Sequence, residues 1–153
     1  MKYVVGIGNY TQFDDSIALK IVEYISEKAL NKGFEVIDLS ANALNIFSYL
    51  NSDTDKILIV DCAKMGKNPG EYSIFDFNDV SSDKEVGNIS THENDMIQII
   101  KMAMELDYKI PEIRFMGIEP AEIKSEFGIS PILKDSFPRY VEAIINEINT
   151  GKN

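Results

Sequence analysis

Lys56-Ile57-Leu58-Ile59-Val60-Asp61 decides the fold: four consecutive apolar residues closed by an acid, the clearest strand in the chain. An unbroken apolar run of this length is buried on both faces, as in the middle of a parallel sheet covered by helices. Toward the N-terminus, Tyr3-Val4-Val5-Gly6-Ile7 predicts a second buried strand ending in glycines, and Phe34-Glu35-Val36-Ile37-Asp38 a third. Between them Ile17, Ala18, Ile21, Val22, Ile25 and Ala29 share one helical face, with Lys20, Glu23, Ser26 and Glu27 opposite. Asp14 or Asp15 is placed to cap this helix and Gly33 to end it. Ala41 to Leu50 reads as a weaker helix. Toward the C-terminus, Lys64 to Gly70 is a Gly/Pro/Asn loop, Glu71 to Phe77 an edge strand, and Ser81 to Ile89 polar and irregular. Ser90 and Glu93 form a capping-box pattern for a helix through Leu106, apolar at Met96, Ile99, Ile100, Ala103 and Leu106. Pro111 to Ile118 is a further strand, and a last helix opens at Asp135-Ser136-Phe137-Pro138 with Tyr140, Val141, Ile144, Ile145 and Ile148 inward. Alternating strands and helices predict a single α/β domain over 1–153: a three-layer sandwich on a mostly parallel, five-stranded twisted sheet.

The 153 residues, 44% hydrophobic and 26% charged, have globular composition and enough chain for a sizeable core. Twenty-five acids against 15 bases give a net charge of −10, which disfavours nucleic acid and anionic membrane surfaces. A single cysteine excludes an intramolecular disulfide and a multi-cysteine zinc cluster. The apolar opening is broken too early by Gly and Asn for a signal peptide, and no stretch approaches a membrane span. A cytoplasmic, monomeric protein is expected.

In an open α/β sheet the site lies beyond the carboxyl ends of the strands, where strand order reverses. The first strand runs out into Gly8-Asn9 and then Asp14-Asp15, the second ends at Asp38, and the third at Asp61. His92, the only histidine, opens a helix that reaches the same edge if it packs in the usual sense. Each has a structural reading as well: Asp14 and Asp15 as helix caps, Asp61 as a loop cap, His92 as a solvated first-turn residue. As a group they form a mixed carboxylate and imidazole set suited to Zn, Ni, Fe or Mn.

Three sharper motifs are testable. Gly6-Ile7-Gly8 begins like a dinucleotide fingerprint, with Asp38 as a ribose acid, but the third glycine falls on Thr11. Cys62 with His92 would make a thiol nucleophile and base, yet Cys62 follows Asp61 and so faces the other side of the sheet, where a small apolar residue belongs. A phospho-acceptor receiver needs a lysine at the end of its last strand, where this chain has Glu119.

The order and spacing of these residues resemble the hydrogenase maturation proteases, nearly end to end. The resemblance is carried by Gly6-Ile7-Gly8-Asn9, the acidic pair Asp14-Asp15, the strand-ending Asp61 with Pro69-Gly70 after it, Ser90-Thr91-His92, Gly117-Ile118-Glu119-Pro120 and Ser130-Pro131. It implies a phosphorylase/hydrolase-like sandwich and an aspartic-type endopeptidase activity that activates a NiFe hydrogenase by trimming the C-terminus of its large subunit. It further implies that Asp15, Asp61 and His92 contact nickel; Asp38, as the next acid on the rim, is a candidate catalytic helper on position alone. The nickel belongs to the substrate, the large-subunit precursor, so the isolated protein is expected to hold none. Two departures stand out. The family's Asp-Gly-Gly-Thr run is here Asp38-Leu39-Ser40-Ala41, and the Gly-x-Gly after the acidic pair is Ser16-Ile17-Ala18. A noncatalytic checkpoint or chaperone that binds the nickel-loaded precursor is the alternative, and a small-molecule binder a third.

Overall fold

The computed structural model describes residues 1–40, 42–80 and 91–151, and their side chains except at 80 and 91–94. Five strands form one sheet: β1 Lys2–Ile7, β2 Glu35–Ser40, β3 Lys56–Cys62, β4 Tyr72–Asp76 and β5 Glu112–Ile118. The helices are α1 Ile17–Glu27, the short α2 Phe77–Val80, α3 Thr91–Glu105 and α4 Pro131–Asn149, with 3₁₀ turns at Phe13–Ser16 and Ala43–Tyr49. The strand order is β2-β1-β3-β5-β4. β1 pairs in parallel with β2 and β3, and β3 with β5, while β4 is the antiparallel edge. The expected three layers, five strands and mostly parallel sheet are all present.

Period-two alternation sorts the strand residues between the two covering layers. Val4, Leu58, Val60, Cys62, Met116 and Ile118 pack with α1 and α4, through Ile17, Ile21, Ile25, Leu133, Tyr140 and Ile144. Val5, Ile7, Ile57, Ile59, Ile113 and Phe115 pack with Ile46, Met96, Ile97, Ile100 and Ala103 on the opposite face. Every residue of β3 is buried, including Lys56, whose ammonium donates to the carbonyls of Glu147 and Thr150 and so caps the C-terminus of α4.

Several boundaries differ from the sequence expectation, each for a local reason. α1 starts at Ile17, because Asp14 and Asp15 sit in the preceding 3₁₀ turn. Ala29 falls outside it at φ +52 and is solvent-exposed. The expected helix over 41–50 is a 3₁₀ segment. α4 starts at Pro131 rather than Asp135, with Pro131 in its first turn and Pro138 inside it. Leu133 is fully buried in that earlier turn and carries the apolar face of α4 back to Pro131. In α3, Ile97 is buried in place of Leu106, which lies beyond the helix end, just before Asp107 turns left-handed at φ +63. The expected irregular stretch 81–89 and the capping serine Ser90 lie outside the described residues. No helix among the described residues is long and apolar enough to cross a membrane.

Candidate active site at the sheet switch point

Strand order reverses between β1 and β3, so the crevice opens beyond Ile7 and Cys62. β1 leaves the sheet through Gly8 and Asn9 and returns over it in the Phe13–Ser16 turn. Gly8 makes that close return possible: a Cβ there would lie 2.2 Å from the Asp15 carbonyl oxygen. The glycines thus serve contact between β1 and the chain entering α1, which removes the phosphate-loop reading of this motif.

The two acids of the turn have separate roles. Asp14 is fully buried, and the N-cap of α1 is Ser16 with no side-chain cap bond, so neither aspartate caps the helix. The Asp14 carboxylate instead accepts from the Ala121 and Glu122 amides at 2.9 Å each, from the Ser130 amide at 2.7 Å and from the Ser130 hydroxyl at 2.8 Å. Four donors on one ionised group hold the chain after β5 and the start of α4 against the turn. Asp15, the next residue, keeps 8% of its surface exposed.

Asp61, the penultimate residue of β3, has no solvent access. By alternation with Ile57 and Ile59 it lies on the sheet face that α3 covers, while Cys62 lies on the other, among Val60, Met116 and Tyr140. Burial pushes the Cys62 thiol well above its ordinary range, and the carboxylates of Asp61, Asp15, Asp14 and Glu119 push it further. A thiol held protonated in the core is no nucleophile at neutral pH, as expected for a small core residue. Glu119 belongs to the Gly117-Ile118-Glu119-Pro120 motif and stands where a receiver would need its lysine. It is buried, and its carboxylate accepts from the Met65 amide at 2.7 Å and the Lys67 amide at 3.0 Å, fixing the loop that follows Asp61.

His92 lies in the first turn of α3; its side chain is outside the described residues. The helix runs from the carboxyl edge of the sheet, where Asp95 and Gln98 line a cavity with Asn42 to Leu44, to the amino edge, where Met104 meets Ile110 to Glu112. The backbone of His92 therefore lies toward the carboxyl edge of the sheet. Among the described residues no three His, Cys, Asp or Glu side chains gather as a metal-holding group, and the set Asp15, Asp61 and His92 depends on a side chain outside them.

Asp38 is set apart. It shares a row with Gly6 and Val60, one strand further out, and its exposed carboxylate is on the α1 side, opposite to Asp61. There it accepts from the Ser40 hydroxyl at 2.6 Å, and the Tyr10 hydroxyl lies 3.5 Å from it. Tyr10 donates mainly to Glu23 at 3.0 Å, and burial with these acids raises its phenol. The Phe13–Ser16 turn that carries Asp15 packs against β3, which carries Asp61, while Asp38 lies on the opposite face of the sheet from Asp61.

A family model described as hydrogenase maturation protease matches residues 19–147. The hydrogenase 3 maturation protease of Escherichia coli is 26% identical over 130 residues, covering 85% of this chain and 80% of that protein. The coenzyme F420 hydrogenase subunit delta of Methanothermobacter thermautotrophicus is 25% identical over 158 residues, covering 97% and 95%. Among solved structures, the NiFe hydrogenase maturation protease HybD of Thermococcus kodakarensis superimposes with a TM-score of 0.78 at 25% identity, covering 97% of this chain and all of that one.

Proposed function

Since this chain belongs to the hydrogenase maturation protease family, endopeptidases that process hydrogenase large subunits, we propose that it removes a C-terminal extension from a nickel-loaded large-subunit precursor and recognises that precursor through its nickel. The observation that carries this reading is Asp61. A carboxylate with no solvent access lies near the end of the central strand at the switch point, and the turn that carries Asp15 packs on that same strand. Two carboxylates with one imidazole form a mixed donor set suited to a divalent ion carried by the incoming substrate, and leave it positions for the substrate's own ligands. The ion would polarise the scissile carbonyl or the attacking water.

The test is cleavage of a purified nickel-loaded precursor, read as mass lost from its C-terminus. Asp15→Asn, Asp61→Asn and His92→Ala should each cripple processing, and Cys62→Ser should retain it. Normal processing by both Asp61→Asn and His92→Ala would remove the reading. An inactive but folded Cys62→Ser would make the enzyme a thiol protease.

The relative that is a hydrogenase subunit by name favours a second reading, in which this chain binds the nickel-loaded precursor as a checkpoint without cutting it. Stable binding with no change in precursor mass distinguishes it.

A further inference from the structure

The segment 121–127, between β5 and α4, is exposed at seven consecutive residues. Within it Phe127 is 75% exposed, the most exposed large apolar side chain among the described residues, and Ile123 is 40% exposed. Single exposed apolar residues are ordinary on any surface. This pair is unusual in how firmly its loop is held. Asp14 grips the foot at both ends, through the Ala121 and Glu122 amides and through Ser130. Midway, the Glu126 amide donates to the Thr11 carbonyl at 3.0 Å, and the Glu126 carbonyl accepts from the Phe13 amide at 2.8 Å. Lys124 lies between Glu122 and Glu126, at 3.3 and 3.2 Å, with its ammonium 4.5 Å over the Phe13 ring.

A surface loop normally gains nothing from rigidity while its largest apolar side chain stays in water. Rigidity is an advantage when that side chain must enter a partner, because the ordering cost is met before association. The loop is also continuous with the candidate site. The turn that carries Asp15 is the turn whose Asp14 holds the loop, so the position of Phe127 is fixed relative to the rim. We propose that the 121–128 loop is a docking element for the hydrogenase large-subunit precursor, with Phe127, flanked by Ile123, entering an apolar recess on the precursor while its C-terminal extension lies at Asp15 and Asp61. This rests on the functional reading above and names the surface through which it operates. The loop's near-balanced charges, two acids around one lysine, leave the apolar contact to carry the affinity.

The test compares wild type, Phe127→Ala, Phe127→Leu and a control, Leu106→Ser, which removes another exposed apolar residue near the opposite end of α3. Each is assayed for Kd toward the nickel-loaded precursor and for KM and kcat of its cleavage. Phe127→Ala should raise Kd and KM about tenfold, a loss of ~1.4 kcal/mol, with kcat within twofold and the melting temperature unchanged. Phe127→Leu should recover part of the loss, and Leu106→Ser should change nothing. Kd and KM within twofold of wild type for Phe127→Ala would overturn the proposal, as would a fall in kcat alone. A wild-type protein that binds the precursor without cutting it would refute cleavage, while the Kd comparison would still decide the loop. Failure of the wild type to bind at all would refute both.

Discussion

Replacing Asp14 by Asn separates a helix cap from a buried clamp. A cap tolerates the change, since Asn and Asp cap equally well and the whole contribution is ~1 kcal/mol. The clamp does not. One carboxylate oxygen accepts from the Ala121 amide, the Glu122 amide and the Ser130 hydroxyl, and the other accepts from the Ser130 amide. An asparagine can keep its carbonyl oxygen among the first three donors, but its NH₂ then faces the buried Ser130 N–H. A buried donor left unsatisfied costs ~1–3 kcal/mol, so Asp14→Asn should lose about 2 kcal/mol. Asp14→Ala leaves all four donors without this acceptor, offset in part by removal of a buried charge, and should lose about 3 kcal/mol. For a domain of this size each kcal/mol moves the melting temperature by ~2–4 °C. Thermal unfolding followed by circular dichroism should therefore show drops of about 5 °C and about 10 °C. Limited proteolysis should cut within 121–128 sooner in both variants. Asp15→Asn, one residue along, should leave the melting temperature unchanged or slightly raised, since it relieves repulsion within an acidic cluster. The clamp is refuted if Asp14→Asn melts with the wild type.

Three further outcomes follow from the same geometry. Gly8→Ala should destabilise by ~2–4 kcal/mol, read as a reduced denaturation midpoint, because its Cβ would sit 2.2 Å from the Asp15 carbonyl oxygen and the backbone must shift. Chelator should leave the melting temperature of the isolated protein unchanged, since the core stands without metal, and a large drop would reveal a structural ion. Cys62 should resist alkylation at pH 8 in the folded protein. Because folding raises this thiol above its unfolded value of ~8.5, its contribution is complete below that pH and declines above it as only the unfolded chain ionises. Cys62→Ala should accordingly lose less stability between pH 8 and pH 10 than the wild type.

The layers of the fold were legible because β3 is apolar at every interior position and the helices around it repeat at 3.6 residues. Asp61 was legible for the same reason: an acid closing such a run is at a strand end, and its parity with Ile57 and Ile59 assigns its face. The roles of the acidic pair were not legible. Which of two adjacent aspartates turns inward is decided by donors more than a hundred residues away, at Ala121, Glu122 and Ser130, and no local pattern in residues 9–18 encodes them. The start of α4 was misplaced because Pro138 offered a familiar first-turn signal, while Ser130-Pro131 offered the same signal earlier. Burial of Leu133 favours the earlier one. Asp38 was grouped with the other strand ends because the sequence shows which edge β2 reaches, whereas its face relative to Asp61 is set by the register that puts it in a row with Gly6 and Val60.

Parity also clarifies the departure after Asp38. β1 and β2 lose register where Gly6 pairs with Asp38 and Ile7 with Ser40, so Leu39 is an extra residue in β2. Ser40 then adopts φ +49, in the left-handed region that favours glycine, at the position where the resemblance leads one to expect the second glycine of the run. The backbone still requires what glycine supplies, and this chain meets the requirement with side chains. Leu39 is buried with Ile46 and Leu50 on the α3 side, and the Ser40 hydroxyl donates to Asp38 at 2.6 Å. A left-handed residue costs ~1–2 kcal/mol without such support, and burial of one leucine contributes a comparable amount. The carbonyl of Ser40 meanwhile accepts from the Gly8 amide at 3.1 Å, tying this bulge to the entrance of the turn that carries Asp15. Losing the glycines therefore changes what anchors the β2 end and leaves it anchored to the site.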